Sequence, residues 1–505
     1  MPMTFEELNQ KTLDAMGSND LEKALSLGQE TVEAAKKTGD TAKILLSLSN
    51  LSEIQQSAGD FESAEGTLTE AIELSKEVNG DSNETADYVG SLAVMYAYIK
   101  RYSDAEVVFK EELEIRDRVG TDYQGVAQAL QGLAEVTMEM QNPQQARDYL
   151  EQAMSVVEKN EGADCTAKAP ILVNMAVVYG KEYNFDKAGE SLRAALRIYE
   201  KDPGPGHPVF ADTLSRLAET YEQRGAFGPA ETLYMQAIDI LKEILDKGDP
   251  EIGRKQESLA HLYVKTGDYE KAEKNFREIL AIYTASYGEK NEDVAQIEND
   301  LGEIYLAIEK FDDAKPLLEG ALNIRREVLG NDHPAVAQTL NNIAVLYENK
   351  GEYQKSIPPH EEALKIRKAY FGDRHPAVTQ SLENLAAAYN GTGRFQEAED
   401  LLRESVSIWQ EYVGDDNPAT AQAQINLATV LFQRSKLREA QRVMTAAKDV
   451  MEKHYGQGHP EMALPYKALA AIAKKLNNKA DEDKYAALYS ECVKNKAEAD
   501  GQNSK

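Results

Sequence analysis

The chain has 505 residues, with 56 Lys and Arg against 86 Asp and Glu, a formal net charge of −30. That excess argues against nucleic acid and anionic lipid as general partners, since both need basic surface, and it keeps a long surface soluble. The only cysteines, Cys165 and Cys492, stand too far apart in a linear array to pair, which predicts a reducing, cytoplasmic setting. Met1 to Gln10 carry no signal-peptide core, and no run of about 18 apolar residues predicts a membrane span.

Length alone predicts about three domains of roughly 150 residues; a repeat overrides that. Helical periodicity starts at once, with a first hairpin over roughly residues 3–37. Less regular units follow around Leu51, Leu92-Ala93 and Leu133-Ala134. From about residue 205 the period settles at 42. It is marked by His207-Pro208, Asp249-Pro250, Asn291-Glu292, His333-Pro334, His375-Pro376, Asn417-Pro418 and His459-Pro460. A last hairpin over roughly 460–495 and a polar tail close the chain. The predicted organisation is 1–204 irregular hairpins, 205–460 regular repeats, 461–495 a capping hairpin and 496–505 a disordered tail. No single-core fold needs such a repeat, whereas a solenoid does, because each unit must dock on the next in the same way.

Within a unit, Leu217-Ala218-Tyr221, Leu259-Ala260-Tyr263, Leu301-Gly302-Tyr305, Ile343-Ala344-Tyr347 and Leu385-Ala386-Tyr389 share one spacing. Positions i, i+1 and i+4 lie on one helix face, so this is a buried stripe, and the small residue lets a second helix approach. A turn follows, often with Gly: Gly225, Gly267, Gly351, Gly393. Next comes an aromatic with Ala three residues on, as in Phe227/Ala230, Tyr269/Ala272 and Phe395/Ala398. Proline suits the first position of each first helix, where an N–H would have no partner. Pro316, Pro358 and Pro359 fall near the start of second helices, and a local kink is expected at Pro359.

These features resemble the tetratricopeptide family. The 42-residue period, with Ala321-Leu322-Asn323-Ile324-Arg325, Gly330-Asn331-Asp332-His333-Pro334 and Asn341-Asn342-Ile343-Ala344, is similar to the kinesin light chain variety of it. The resemblance implies an all-α fold: a right-handed superhelical solenoid of about twelve antiparallel helix hairpins. It implies protein binding, with first helices lining a concave face. It also implies that Asn342, Asn384 and Asn426 contact a bound peptide. Kinesin light chains carry a heptad coiled coil before their repeats. Here hairpin-like sequence begins within the first twenty residues, so a motor-subunit role is not expected.

Four positions should face the groove: five before, one before, two after and six after the repeating Leu. In the C-terminal half the first two read Gln338/Asn342, Gln380/Asn384 and Gln422/Asn426, with Gln296 and Asn174 extending the columns. Asn is a mediocre helix residue, so its repetition needs a reason. An amide offers both donor and acceptor, which matches an extended peptide backbone; alternatively these Asn bond to the neighbouring helix. Val345, Ala387 and Thr429 are small and leave room for a ligand chain. In the middle of the array Arg254, His261 and Lys265 share one face, with Arg216 one unit back and Lys181 two units back. They could hold an acidic ligand group, or be neutralised by Asp212, Glu219, Asp300 and Glu303.

No three successive units show the Lys/Asn carboxylate clamp of chaperone-docking members, so a chaperone C-terminus is not the expected ligand. There is no G-x-x-x-x-G-K-[ST], H-E-x-x-H or G-x-S-x-G motif. Histidines one unit apart along a stack cannot converge on one ion, and His360-Glu361-Glu362 reads as a solvated run. The expectation is a non-catalytic scaffold with no cofactor and no metal, binding partner peptides along its concave face. The alternatives are a kinesin light chain-like cargo adaptor and a structural or regulatory subunit docking through its convex second helices.

Overall fold

The computed structural model describes residues 3–18, 20–162 and 165–503, with side chains to residue 495. Every regular element among them is helical, and consecutive helices pair into hairpins. The chain divides into two compact units, Met1–Asp246 and Lys247–Lys505. The first holds α1 (Phe5–Gly17), α2 (Leu21–Thr38), α3 (Thr41–Ser57), α4 (Phe61–Asn79), α5 (Asn83–Tyr98) and α6 (Tyr102–Val119). It continues with α7 (Tyr123–Glu139), α8 (Pro143–Glu161), α9 (Lys168–Lys181), α10 (Phe185–Tyr199), α11 (Pro208–Gln223) and α12 (Phe227–Ile244). The second holds α13 (Pro250–Thr266), α14 (Tyr269–Tyr287), α15 (Glu292–Ala307), α16 (Phe311–Leu329), α17 (Pro334–Asn349) and α18 (Tyr353–Phe371). It ends with α19 (Thr379–Gly391), α20 (Phe395–Val413), α21 (Pro418–Gln433), α22 (Leu437–Tyr455), α23 (Ala463–Lys475) and α24 (Lys479–Asn503). Of the tail expected to be disordered, residues 504 and 505 and all side chains from 496 lie outside the described residues.

The His-Pro corners are helix caps. His207 and His333 accept through Nδ1 from the backbone N–H two residues on, at 3.3 and 3.2 Å. Asp249 and Asn417 do the same through a side-chain oxygen at 2.8 and 2.9 Å. Each cap satisfies a backbone donor with no partner in the helix and contributes about 1 kcal/mol. His375 and His459 bond in the same way, but there Pro376–Val378 and Pro460–Met462 form a 3₁₀ turn before α19 and α23.

The predicted stripes form the core. Leu217, Leu259, Leu301 and Leu385 are buried, as are Ala218, Ala260, Ala344 and Ala386 beside them or in the same register. The facing alanines of the second helices, Ala230, Ala272 and Ala398, are buried too. The small residue is needed most at Gly302, where a Cβ would sit 2.5 Å from Leu318 Cδ2. Between helices of a hairpin one residue takes the left-handed conformation. Gly351 (φ 74°) and Gly393 (φ 79°) do so freely, whereas Lys100, Gln141, Tyr183, Glu309, Ser435 and Asn477 do so with a side chain.

Hairpins are locked to their neighbours by the tyrosine of the stripe. Tyr96, Tyr305 and Tyr389 donate to Glu65, Glu273 and Glu361 of the preceding second helix at 2.7, 2.7 and 2.8 Å. Arg394 covers the ring of Tyr389 at 3.9 Å. Burial and the Glu65 carboxylate push the Tyr96 hydroxyl up to about 12.

His360 departs from expectation. It is not solvated but fully buried, because it falls 42 residues after the core residue Leu318. α18 continues through Pro358 and Pro359 to Phe371. No described helix is long and apolar enough to cross a membrane.

Candidate functional site

In the second unit, α17 and α19 lie side by side as first helices and open a groove of ≈ 920 Å³. Gln338, Asn342 and Val345 reach it from α17, and Gln380 and Asn384 from α19. The positions read as columns in sequence thus line one surface. Their i, i+4 spacing puts them on the helix side opposite the buried stripe. Pro334, Asn341, Arg367 and Trp409 complete the wall with residues the column rule did not select. Gln422 and Asn426 hold the matching places on α21, exposed and half-buried, outside that groove.

The amides are not equivalent. Asn342 donates to Asn299 Oδ1 at 2.9 Å and to Glu303 Oε1 at 2.6 Å, both on the preceding first helix α15. Asn426 donates to Glu383 Oε2 on α19 at 3.0 Å, and Asn174 to Gln131 Oε1 on α7 at 3.4 Å. Bonding to the neighbouring helix therefore explains part of the asparagine repetition. Asn384 and Gln338 have no hydrogen-bond partner among the described residues, and Gln380 only accepts from Arg367 at 3.1 Å. Gln296, extending the first column, is absorbed by Asp300 at 2.7 Å and by the buried Arg325. Burial raises the Glu383 carboxyl, opposed by the bonds from Ser405 and Asn426.

The basic residues are compensated locally. Arg216, in the first unit, pairs with Asp212 at 2.9 Å. In the second unit Arg254 donates to Glu251 from Nε at 2.8 Å. His261 lies 3.8 Å from Asp300 Oδ2 and packs edge-on against Phe276, and the exposed Lys265 is also engaged. Asp300 is held by burial and by the Glu303 charge at about 7.

In the first unit two further grooves follow the same register. One, of ≈ 530 Å³, joins Val177, Lys181, Tyr183 and Phe185 to Arg216 and Thr220. The other, of ≈ 670 Å³, joins Ser91, Val94 and Tyr98 to Gln128, Glu135 and Asn174. Tyr98 and Tyr183 are 76% and 83% exposed, high for aromatic side chains. The column offsets find Val94 and Tyr98, two and six residues after Leu92. Among the described residues no three His, Cys, Asp or Glu side chains come together as ligands for an ion.

The tetratricopeptide repeat family model matches residues 44–118, 84–159, 168–243, 251–327, 293–369, 345–411 and 377–453. A search of curated proteins gives no match. Among solved structures the chain is similar to BtubC (BKLC) from P. vanneervenii, at 30% identity over 46% of this chain and 92% of that one, TM-score 0.41. It is similar to an array of nearly identical, kinesin-light-chain-type TPR-like repeats from Podosopora anserina, at 25% identity over 41% of this chain and 98% of that one, TM-score 0.37. It is also similar to yeast Tom70, at 15% identity over 93% of this chain and 96% of that one, TM-score 0.42. Arrays of this fold generally act as interaction scaffolds rather than catalysts. With the family model matching most of its length, the chain belongs to the tetratricopeptide repeat family.

Proposed function

We propose that the chain is a non-catalytic scaffold that binds extended peptide segments of partner proteins along the groove of the second unit. One observation carries this reading. Gln338 and Asn384, on adjacent first helices, face a single groove with their amides unused by the protein. An amide supplies both a donor and an acceptor, as an extended backbone requires. Val345, in the groove, is small, as is Ala387 at the same register on α19. Ordering a flexible segment opposes binding, so affinity should be moderate. The acidic balance of the chain favours proteins over nucleic acid as partners, and the free thiols Cys165 and Cys492 fit a reducing, cytoplasmic setting.

The test is a comparative pull-down from the source cell. Wild type is set against the combined change Gln338→Ala, Asn384→Ala, which removes the two unused amides and no bond between helices, with circular dichroism confirming the fold. Loss of specific partners supports the groove. An unchanged partner set contradicts it and favours docking through the outer second helices. Recovery of a motor heavy chain with wild type supports the cargo-adaptor alternative.

A further inference from the structure

Arg325 on α16 and Arg367 on α18 stand 42 residues apart, at the same place in consecutive repeats. Arg325 is fully buried, and each of its three nitrogens has a partner. It donates to Glu292 Oε1 at 3.1 Å, to Thr339 Oγ1 at 2.8 Å and to the Ala335 carbonyl at 3.1 Å, and it also binds Gln296. Arg367 lacks that compensation. The position matching Glu292 is Pro334, 42 residues on, which brings no carboxylate. Its partners among the described residues are neutral oxygens, Gln380 Oε1 at 3.1 Å and Ser381 Oγ at 3.0 Å, both of which accept from Nη1. Nε and Nη2 have no partner among the described residues. Burial pulls this guanidinium below its ordinary value.

A second observation points into the same groove. Asn341 is 6% exposed and lines it. One end of its amide meets His360 Nδ1 at 2.9 Å, while the other end is buried without a partner. A buried amide group left unpaired costs free energy that a ligand can recover.

We propose that this groove recognises an Asp or Glu side chain within the bound peptide, gripped by Arg367 and the free end of the Asn341 amide. The inference rests on the groove reading above and adds its ligand class. A guanidinium offers two parallel N–H donors to a carboxylate, and Nε with Nη2 is the pair left unused here. Glu303 lines the same groove and repels a dianion more strongly than a single carboxylate, which favours a carboxylate over a phosphate. The amide positions continue beyond the site to Gln422 and Asn426 on α21, so the peptide has room to run past Arg367. That selects an internal side chain over a chain end.

The test uses the purified full chain on cellulose-bound degenerate dodecapeptides, tethered through their C-termini so that no terminal carboxylate is free. One central position is fixed as Asp, Glu, Asn, Gln, Lys or phosphoserine. Wild type should retain Asp and Glu peptides about tenfold over Asn and Gln. Arg367→Gln should lose that preference, while Arg374→Gln, at an exposed pair with Glu411, should keep it. Pro334→Glu guards against misfolding. It places at the start of α17 the residue that Glu292 already is in α15, so it should fold, neutralise Arg367 and abolish the acid preference. Retention of peptides without acid preference, preference for phosphoserine alone, or an acid preference surviving both substitutions overturns the carboxylate inference and leaves the groove standing. Retention of no peptide class overturns both.

Discussion

His360 Nδ1 lies 2.9 Å from Asn341 Oδ1, inside a core position that neighbouring repeats fill with Leu318 and Leu402. Its Nε2 lies 3.3 Å from Glu348 Oε1, which also accepts from Ser356 at 3.2 Å. One repeat pair later the same two places hold Ile425 and Met444, both buried. His360→Met alone leaves the Asn341 amide buried without its partner, and should cost about 1–3 kcal/mol in denaturant unfolding. Adding Asn341→Ile copies the Ile425/Met444 pair and should recover most of that loss. A double variant no more stable than the single one would show that the polar pair is not what the single change disrupts.

Asp300 gives the second unit a pH dependence. Its carboxyl sits at about 7 because burial and Glu303 disfavour the charge, while Gln296, Asn299 and Arg325 oppose the shift, and His261 faces it from α13. Its folded value is raised above the unfolded one, so the stability it contributes is complete below the unfolded carboxylate range and is lost as pH rises through about 7. Asp300→Asn should therefore flatten the thermal midpoint between about pH 5 and 8 and raise it by a few degrees at the upper end. An undiminished slope in the variant would place the pH dependence elsewhere.

The turns between paired helices offer a test of backbone strain. Glu309 holds φ at 60°, where a side chain crowds the backbone, and Gly351 holds 74° at the same point one repeat later. Glu309→Gly should stabilise the chain by about 0.5 kcal/mol, the strain relieved exceeding the entropy cost of glycine. Gly351→Ala should destabilise it by about 1 kcal/mol through the backbone alone, since an added Cβ there meets nothing within 4 Å. Equilibrium unfolding of both variants checks the sign of each.

The fold is legible because the hairpins from about residue 205 onward repeat one local rule, and the columns are legible because helical spacing assigns faces. Gln338, Asn342, Gln380 and Asn384 do meet in one groove for that reason. What the residues of one helix could not show was the content of the next. The donor of Asn342 is consumed by Asn299 and Glu303, one hairpin away. Arg367 ends Ala363-Leu364-Lys365-Ile366-Arg367, which in sequence matches the run ending in Arg325. Its missing carboxylate shows only when Pro334 is set against Glu292 in register. The charged neighbours of His360 suggest a solvated run, although counting 42 residues from Leu318 places it in the core.

The central claim is that partners bind the groove of the second unit. A photocrosslinking residue can be placed singly at Val345 and Ala387 on the groove side, and at Lys365 and Asp400, exposed on second helices α18 and α20. With partner-containing extract, the account predicts adducts to specific partner segments from Val345 and Ala387 and background alone from Lys365 and Asp400. Adducts confined to the second helices would contradict it.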